Sequence, residues 1–495
     1  MIPSQQPEAV QRPMLCVALA LAAYVLAFAW FYPSVLTISD ETAYMRQGWA
    51  LSQGMATVGE VDAATGQTRQ VLPGDYPPGT ALLLAPLMAL GGWRAGFLLG
   101  ALCCVAATFV LAALLKRQGR SPLWALLFLA YPPTMVISRC GMSDLPTALV
   151  VTLGLHCFLV GDSPRLRFAA GFFAGATLLF RETAPLLFVF LFAGSLLRRE
   201  RSLVALTLGG LTGMALRLLA ASAVYGNALF LKQTYPGFTL GALGDNVGLY
   251  ALALMVFVPS GFALAMLYRG ARRPEVLCTL GAYTLLHLFY TYGAASSGGL
   301  KQLVLGPRFF IPMLPMLILA MAESGERLWA VLLARLGVAG RVHVMRSLRL
   351  GAAALTLAVA CEAVLAGYSL AQWQSGQRAI VVAMFASTEA ATPVATNLDA
   401  TRKFVNELYS AEFGERVAED FSQLSDSRIE ALLRRNERIT LALLTRRDSE
   451  HWRQRALQNQ SRIEALSGKY LVQSGGSTEF ASGEKLEVFT LSRRR

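Results

Sequence analysis

The feature that most constrains this chain is a succession of apolar runs between residues 14 and 370, separated by short loops in which arginines cluster. An apolar run of about 20 residues matches the hydrocarbon thickness of a bilayer at the helical rise, and only closed backbone structures such as helices can cross it. With 55% hydrophobic and 15% charged residues over 495 positions, the chain is too apolar for an ordinary soluble domain. The sequence therefore predicts a polytopic α-helical membrane protein. Its formal charge of +13 sits largely in the inter-run clusters, so the basicity reports membrane topology and not nucleic-acid binding. Six of the seven cysteines fall inside apolar runs, and the four histidines are scattered without ligand spacing. That predicts neither a disulfide framework nor a histidine-built metal site.

The first run, residues 14–33, reads as a span with the N-terminus cytoplasmic; it is long for a signal core, and only Arg12 precedes it as a basic residue. Residues 34–79 form a large outer loop with an amphipathic helix near 40–53, and 80–90 is too short to cross and reads as an interfacial helix. Keeping 80–90 at the surface leaves about eleven crossings. It also sends Lys116/Arg117/Arg120, Arg165/Arg167, Arg198/Arg199/Arg201, Arg269/Arg272/Arg273 and the basic loop 327–349 to the cytoplasm. The odd count places the C-terminal region outside. From about residue 373 the composition becomes that of a soluble protein, with buried strands expected at 392–396, 439–444 and 486–490 and amphipathic helices near 401–409 and 428–435. The expected organisation is a transmembrane domain at 1–372, including the outer loop 34–79, and a small extracytoplasmic α/β domain at 373–495.

Charged and aromatic residues recur on the predicted outer side. Ile38-Ser39-Asp40-Glu41-Thr42-Ala43-Tyr44 puts two adjacent carboxylates and an aromatic residue just after the first span. Ser39 or Asp40 would cap the helix. A carboxylate at a partly dehydrated membrane edge also gains proton affinity, which suits a general base acting on an alcohol. Asp40 is the candidate base, and Glu41 would orient the acceptor or bind a divalent cation. Asp75-Tyr76-Pro77-Pro78-Gly79 makes a rigid corner with Tyr76 as an aromatic wall. Arg139 and Asp144 flank a turn, Arg181 and Glu182 interrupt another apolar stretch, and Arg308 opens a Pro-containing span after a polar loop that includes Lys301. Each has a bland reading as a cap or a snorkelling side chain. Each also suits a cavity that neutralises phosphate.

This order of parts resembles the GT-C class of polyprenyl-phosphate-sugar glycosyltransferases, in particular bacterial members akin to the protein O-mannosyltransferases and the lipid A aminoarabinose transferases. The residues that carry it are the acidic pair after the first span, Tyr76-Pro77-Pro78, Arg139 with Asp144, and Arg308-Phe309-Phe310-Ile311-Pro312-Met313-Leu314-Pro315. One departure is Tyr76, which stands where the aminoarabinose transferases carry a lysine. The resemblance implies a GT-C-like fold in a bacterial inner membrane, with the C-terminal domain periplasmic. It implies one inverting displacement in which an acceptor activated by Asp40 attacks a sugar carried on a polyprenyl phosphate, as in cell-envelope glycosylation. Tyr44, Tyr76, Arg139, Asp144, Arg181, Lys301 and Arg308 would hold the substrate. The partners implied are the lipid-linked donor, a glycan, lipid or protein acceptor, and membrane lipid. A transporter or flippase of a lipid-linked saccharide is the alternative, although an acidic pair in a loop suits a proton relay through the bilayer poorly.

Overall fold

The computed structural model describes residues 7–231, 237–258, 260–270, 272–291, 305–335, 338–390, 392–398, 407–446, 450–481 and 483–494. These residues group into two compact units. One comprises Met1–Tyr32, Asp75–Leu83 and Ala95–Ser369, and the other Pro33–Gly74, Leu84–Arg94 and Leu370–Arg495. The sequence attached the loop 34–79 to the membrane region, whereas the fold groups Pro33–Gly74 with the C-terminal residues.

The first unit is helical. Among the described residues, five helical segments are long and apolar enough to cross a membrane: Pro13–Trp30, Trp93–Arg117, Leu203–Tyr225, Pro307–Ala334 and Leu350–Ala386. Gly79–Gly91, Asp144–Val160, Leu186–Leu197 and Ala242–Phe257 are apolar but shorter. Two of the stretches expected to cross are interrupted. The stretch 122–138 is a 3-10 turn at Pro122–Ala125 followed by short helices at Leu126–Leu129 and Pro132–Ile137. Tyr131, ahead of the two prolines, is extended (φ −81°, ψ 109°), as a residue before proline prefers. The stretch 247–268 is likewise divided, into Ala242–Phe257 and Gly261–Met266.

Helices Pro164–Ala176 and Leu203–Tyr225 pack backbone to backbone. A Cβ added at Gly171 would collide with the Leu206 carbonyl, and one at Gly209 with the Phe168 carbonyl. Small residues at such a seam let two apolar helices approach in a medium where hydrophobic burial does not distinguish lipid from protein. The seam holds the turn that leads to Arg181.

The second unit is built around a five-stranded sheet in the order β4-β3-β5-β7-β6: β3 (Val394–Thr396), β4 (Ala418–Asp420), β5 (Arg438–Arg446), β6 (Leu471–Glu479) and β7 (Glu484–Ser492). β3 runs parallel to β4 and β5, while β7 is antiparallel to β5 and β6. Ile439, Leu441, Leu443 and Leu444 of the central β5 are all buried, as a strand covered on both faces requires. Helix Asp426–Arg435 presents Ile429, Leu432 and Leu433 to this core, and Ser425 caps it by accepting the Arg428 amide at 3.2 Å.

The segment 34–79 supplies a hairpin of β1 (Val58–Val61) and β2 (Thr68–Val71), closed by the turn at Asp62. Ala63 enters the same core. Arg428 pairs with Asp62 at 3.0 Å, and Arg435 donates to the Thr65 carbonyl at 2.6 Å.

Candidate active site

In the second unit, the candidate base stands on helix Ser39–Ser52. Ile38, extended at φ −119°, ψ 147°, precedes the helix. Neither Ser39 nor Asp40 caps it: Glu41 reaches back instead, its Oε2 accepting the amides of Thr37 at 2.6 Å and Ile38 at 3.2 Å. This is the acidic half of a capping box, and the negative side chain also suits the positive end of the helix. Glu41 is wholly buried, Tyr44 is buried, and Asp40 is partly exposed.

The segment leading to Asp40 is pinned by residues more than three hundred positions away. Gln374 Oε1 accepts the Ser34 amide at 3.2 Å, and its Nε2 donates to the Val35 carbonyl at 3.2 Å and the Thr37 hydroxyl at 3.0 Å. Tyr409 accepts the Leu36 amide at 3.2 Å, and burial holds its phenol well above the usual tyrosine range. Further along the helix, Arg46 grips Glu407 through two bonds of 2.6 Å, with Glu60 at 3.5 Å. The backbone that leads to Asp40 thus has its polar groups largely satisfied.

In the first unit, charged residues gather around one aromatic ring. Asp144 opens helix Asp144–Val160, is fully buried, and accepts from Arg181 Nη2 at 2.8 Å. The Arg181 guanidinium lies 5.1 Å from the centroid of the Phe309 ring, and that of Arg308 lies 5.2 Å from the same centroid. Phe309 belongs to the 3-10 turn Pro307–Met313, whose residues are all buried. Pro312 lacks the N–H that such a turn would aim at the Phe309 carbonyl, and the Tyr283 hydroxyl donates there instead, at 3.2 Å. Tyr131 donates to the Pro307 carbonyl at 2.8 Å. Two phenols therefore fix the turn that carries Arg308.

The turn before Arg181 is held from two sides. Gly79 lies against Leu179 so closely that an added Cβ would sit 2.6 Å from the Leu179 carbonyl, and Arg217 donates through Nε to the Leu178 carbonyl at 3.1 Å. The Tyr76 carbonyl accepts from the Tyr225 hydroxyl, which fixes the Tyr-Pro-Pro-Gly corner in this unit. Arg139 lies elsewhere in the unit. It donates to the Phe31 carbonyl at 2.9 Å, its guanidinium sits 5.3 Å from the Phe28 ring, and its Nη2 has no hydrogen-bond acceptor among the described residues.

Arg181, Asp144 and Arg308 are thus brought together, and Gly79 touches the turn that leads to them. Asp144 holds Arg181, where the sequence paired it with Arg139. Asp40, Glu41 and Tyr44 stand together in the other unit, and Lys301 lies outside the described residues. Among the described residues, no group of three or more His, Cys, Asp or Glu gathers as a metal site would.

The sequence reading missed Phe309 as the common ring, along with Tyr283, Gln374, Tyr409 and Arg217. Arg217 did carry a signal, being the one arginine inside the apolar helix Leu203–Tyr225.

No protein-family model matches the chain, and no curated protein does. Solved structures do. The structure of ArnT from Cupriavidus metallidurans in the apo state matches with a TM-score of 0.64 at 14% identity, over 97% of this chain and 98% of that one. ArnT from Cupriavidus metallidurans bound to undecaprenyl phosphate matches with a TM-score of 0.61 at 14% identity and the same coverage of both chains. The chain has the ArnT fold. ArnT is the lipid A aminoarabinose transferase, a GT-C enzyme, so the resemblance read from a few residues holds at the level of the whole fold. The ArnT fold and the five long apolar helices make this an integral membrane protein.

Proposed function

We propose that this protein is an integral membrane glycosyltransferase that moves a sugar from a polyprenyl-phosphate donor to an acceptor on the outer side of a bacterial inner membrane, with the 373–495 region extracytoplasmic and about eleven crossings. The observation that carries the reading is the buried Arg181–Asp144 pair sharing the Phe309 ring with Arg308, in a fold that ArnT uses with undecaprenyl phosphate bound. Two guanidiniums beside one aromatic ring suit a phosphate diester becoming a monoester, where charge grows on the leaving oxygen.

In this reading Asp40 accepts the proton of the acceptor hydroxyl. The acceptor oxygen attacks the anomeric carbon from the face opposite the lipid phosphate, and the carbon–oxygen bond to that phosphate breaks with its electrons leaving on the phosphate oxygen. The configuration inverts. Arg181, fixed by Asp144, and Arg308 meet the charge released. Glu41 supports Asp40 through the backbone it caps, and Tyr44, Tyr76 and Arg139 complete the substrate-holding set.

Purified protein in nanodiscs, given a synthetic undecaprenyl-phosphate sugar and an acceptor mixture, should release undecaprenyl phosphate. Asp40→Asn should lower the rate by about a hundredfold or more, the ordinary contribution of a general base, while thermal unfolding stays close to that of the wild type. Transfer by Asp40→Asn at the parental rate would remove Asp40 from the mechanism. Movement of labelled donor across vesicles with no transfer would favour a flippase instead.

A further inference from the structure

A second polar site lies at the other end of helix Asp144–Val160, whose 17 residues separate it from the Asp144–Arg181 pair by about 26 Å. There the ends of several helices enclose a cavity of about 490 Å³ lined by Arg120, Arg167, Arg272, Gln118, Asp162 and Glu323, among others. Arg167 is 97% buried as a side chain, with 3% exposed. Its Nη2 serves Asp162, with Glu200 at 3.4 Å, but Nε and Nη1 have no acceptor among the described residues. Phe158 lies under two of these cations, with its ring centroid 4.2 Å from the Arg167 guanidinium and 5.1 Å from that of Arg272. Arg120 reaches Glu323 and Glu326 only at 3.8 Å, beyond hydrogen-bond length. Arg272 is held by Glu200, with Glu275 at 3.8 Å.

The five carboxylates outnumber the three arginines, yet they leave two donors of the most buried of these cations unmet and hold Arg120 loosely. A buried guanidinium with unmet donors carries a cost that an entering anionic oxygen removes. Lys116, Arg117, Arg165, Arg269 and Arg273 are each within two residues in sequence of a lining position.

We propose that this cavity is an anion site that takes a phosphate group, with Arg167 as its buried anchor and Arg120 and Arg272 closing on the remaining oxygens. The phosphate belongs either to an anionic phospholipid headgroup or to a free phosphorylated molecule. The site is independent of the transfer chemistry proposed above.

The full chain in phosphatidylcholine nanodiscs would be titrated with inorganic phosphate against chloride at matched ionic strength, and compared with nanodiscs containing phosphatidylglycerol. Thermal unfolding and 31P line broadening are the readouts. A saturable stabilisation by inorganic phosphate identifies a free phosphate ligand. Stabilisation by phosphatidylglycerol that also excludes inorganic phosphate identifies the headgroup. In either arm Arg120→Gln and Arg167→Lys should each weaken binding by about tenfold, as expected for losing a charge-assisted hydrogen bond. Arg120→Gln, at the partly exposed rim, should fold as the parent does. No saturable response in either arm, or unchanged affinity in both variants, overturns the assignment and leaves the arginines as ties between helix ends.

Discussion

The stretch leading to Asp40 and the turn carrying Arg181 are held by opposite means. Ser34, Val35, Leu36 and Thr37 are fixed by neutral hydrogen bonds from Gln374 and Tyr409, with the Glu41 carboxylate closing the helix end. Arg181 is fixed by a buried charge, Asp144, and by the face of Phe309. Neutral bonds are each worth about 1 kcal/mol net, and losing one leaves an uncharged partner whose desolvation costs about 1–3 kcal/mol. A buried ion pair contributes little net, but breaking it strands a charge at a cost of about 3–5 kcal/mol. The first arrangement tolerates damage gradually, whereas the second fails as a unit.

The largest test of that contrast is Asp144→Ala, which leaves Arg181 without its buried carboxylate. It should lower stability by about 3–5 kcal/mol, read as a drop in the unfolding temperature in detergent, and an unfolding temperature equal to the parent's would show that the pair is not structural. Gln374→Ala removes three bonds around residues 34–37 and should cost about 1–3 kcal/mol. In the glycosyltransferase reading it should also lower kcat more than it raises KM, because Asp40 loses its fixed position.

The smallest effect is pH-dependent. Asp62 accepts the amides of Ala64 at 2.9 Å and Thr65 at 2.8 Å and pairs with Arg428, and its carboxyl is held down to about 2, the Thr65 amide first among the causes. With the folded value below the unfolded one near 4, its contribution is complete above about pH 4 and fades as pH falls toward 2. The protection of the Ala64 and Thr65 amides against hydrogen exchange, taken relative to the intrinsic rate at each pH, should fall across that window in the parent and stay flat in Asp62→Asn.

Much of the fold was legible because its signals are local. Helix Ser39–Ser52, the buried β5 and the amphipathic face of Asp426–Arg435 follow from periodicity and caps within a dozen residues. β6 and the hairpin of β1 and β2 escaped notice because their sequences are polar and largely exposed, so no alternation marks them. The span count depended on apolar length, which does not register that Pro132 and Pro133 divide a run that composition joins. Within the candidate site, arginines amid apolar sequence announced themselves. Gln374 and Tyr409 did not, since an amide and a phenol become informative only once the fold brings them to residues 34–37.

The hairpin at Asp62 bears on how this protein can be taken apart. Because Ala63 fills a place in the core beneath β5, and Arg428 and Arg435 close over its turn, the C-terminal region is not a detachable module. A fragment cut at residue 373 would begin life with a hole in its interior, and with Arg428 reduced to its Glu419 partner and Arg435 without the Thr65 carbonyl. Swapping this tail between relatives would succeed only if the matching piece of the early chain travelled with it.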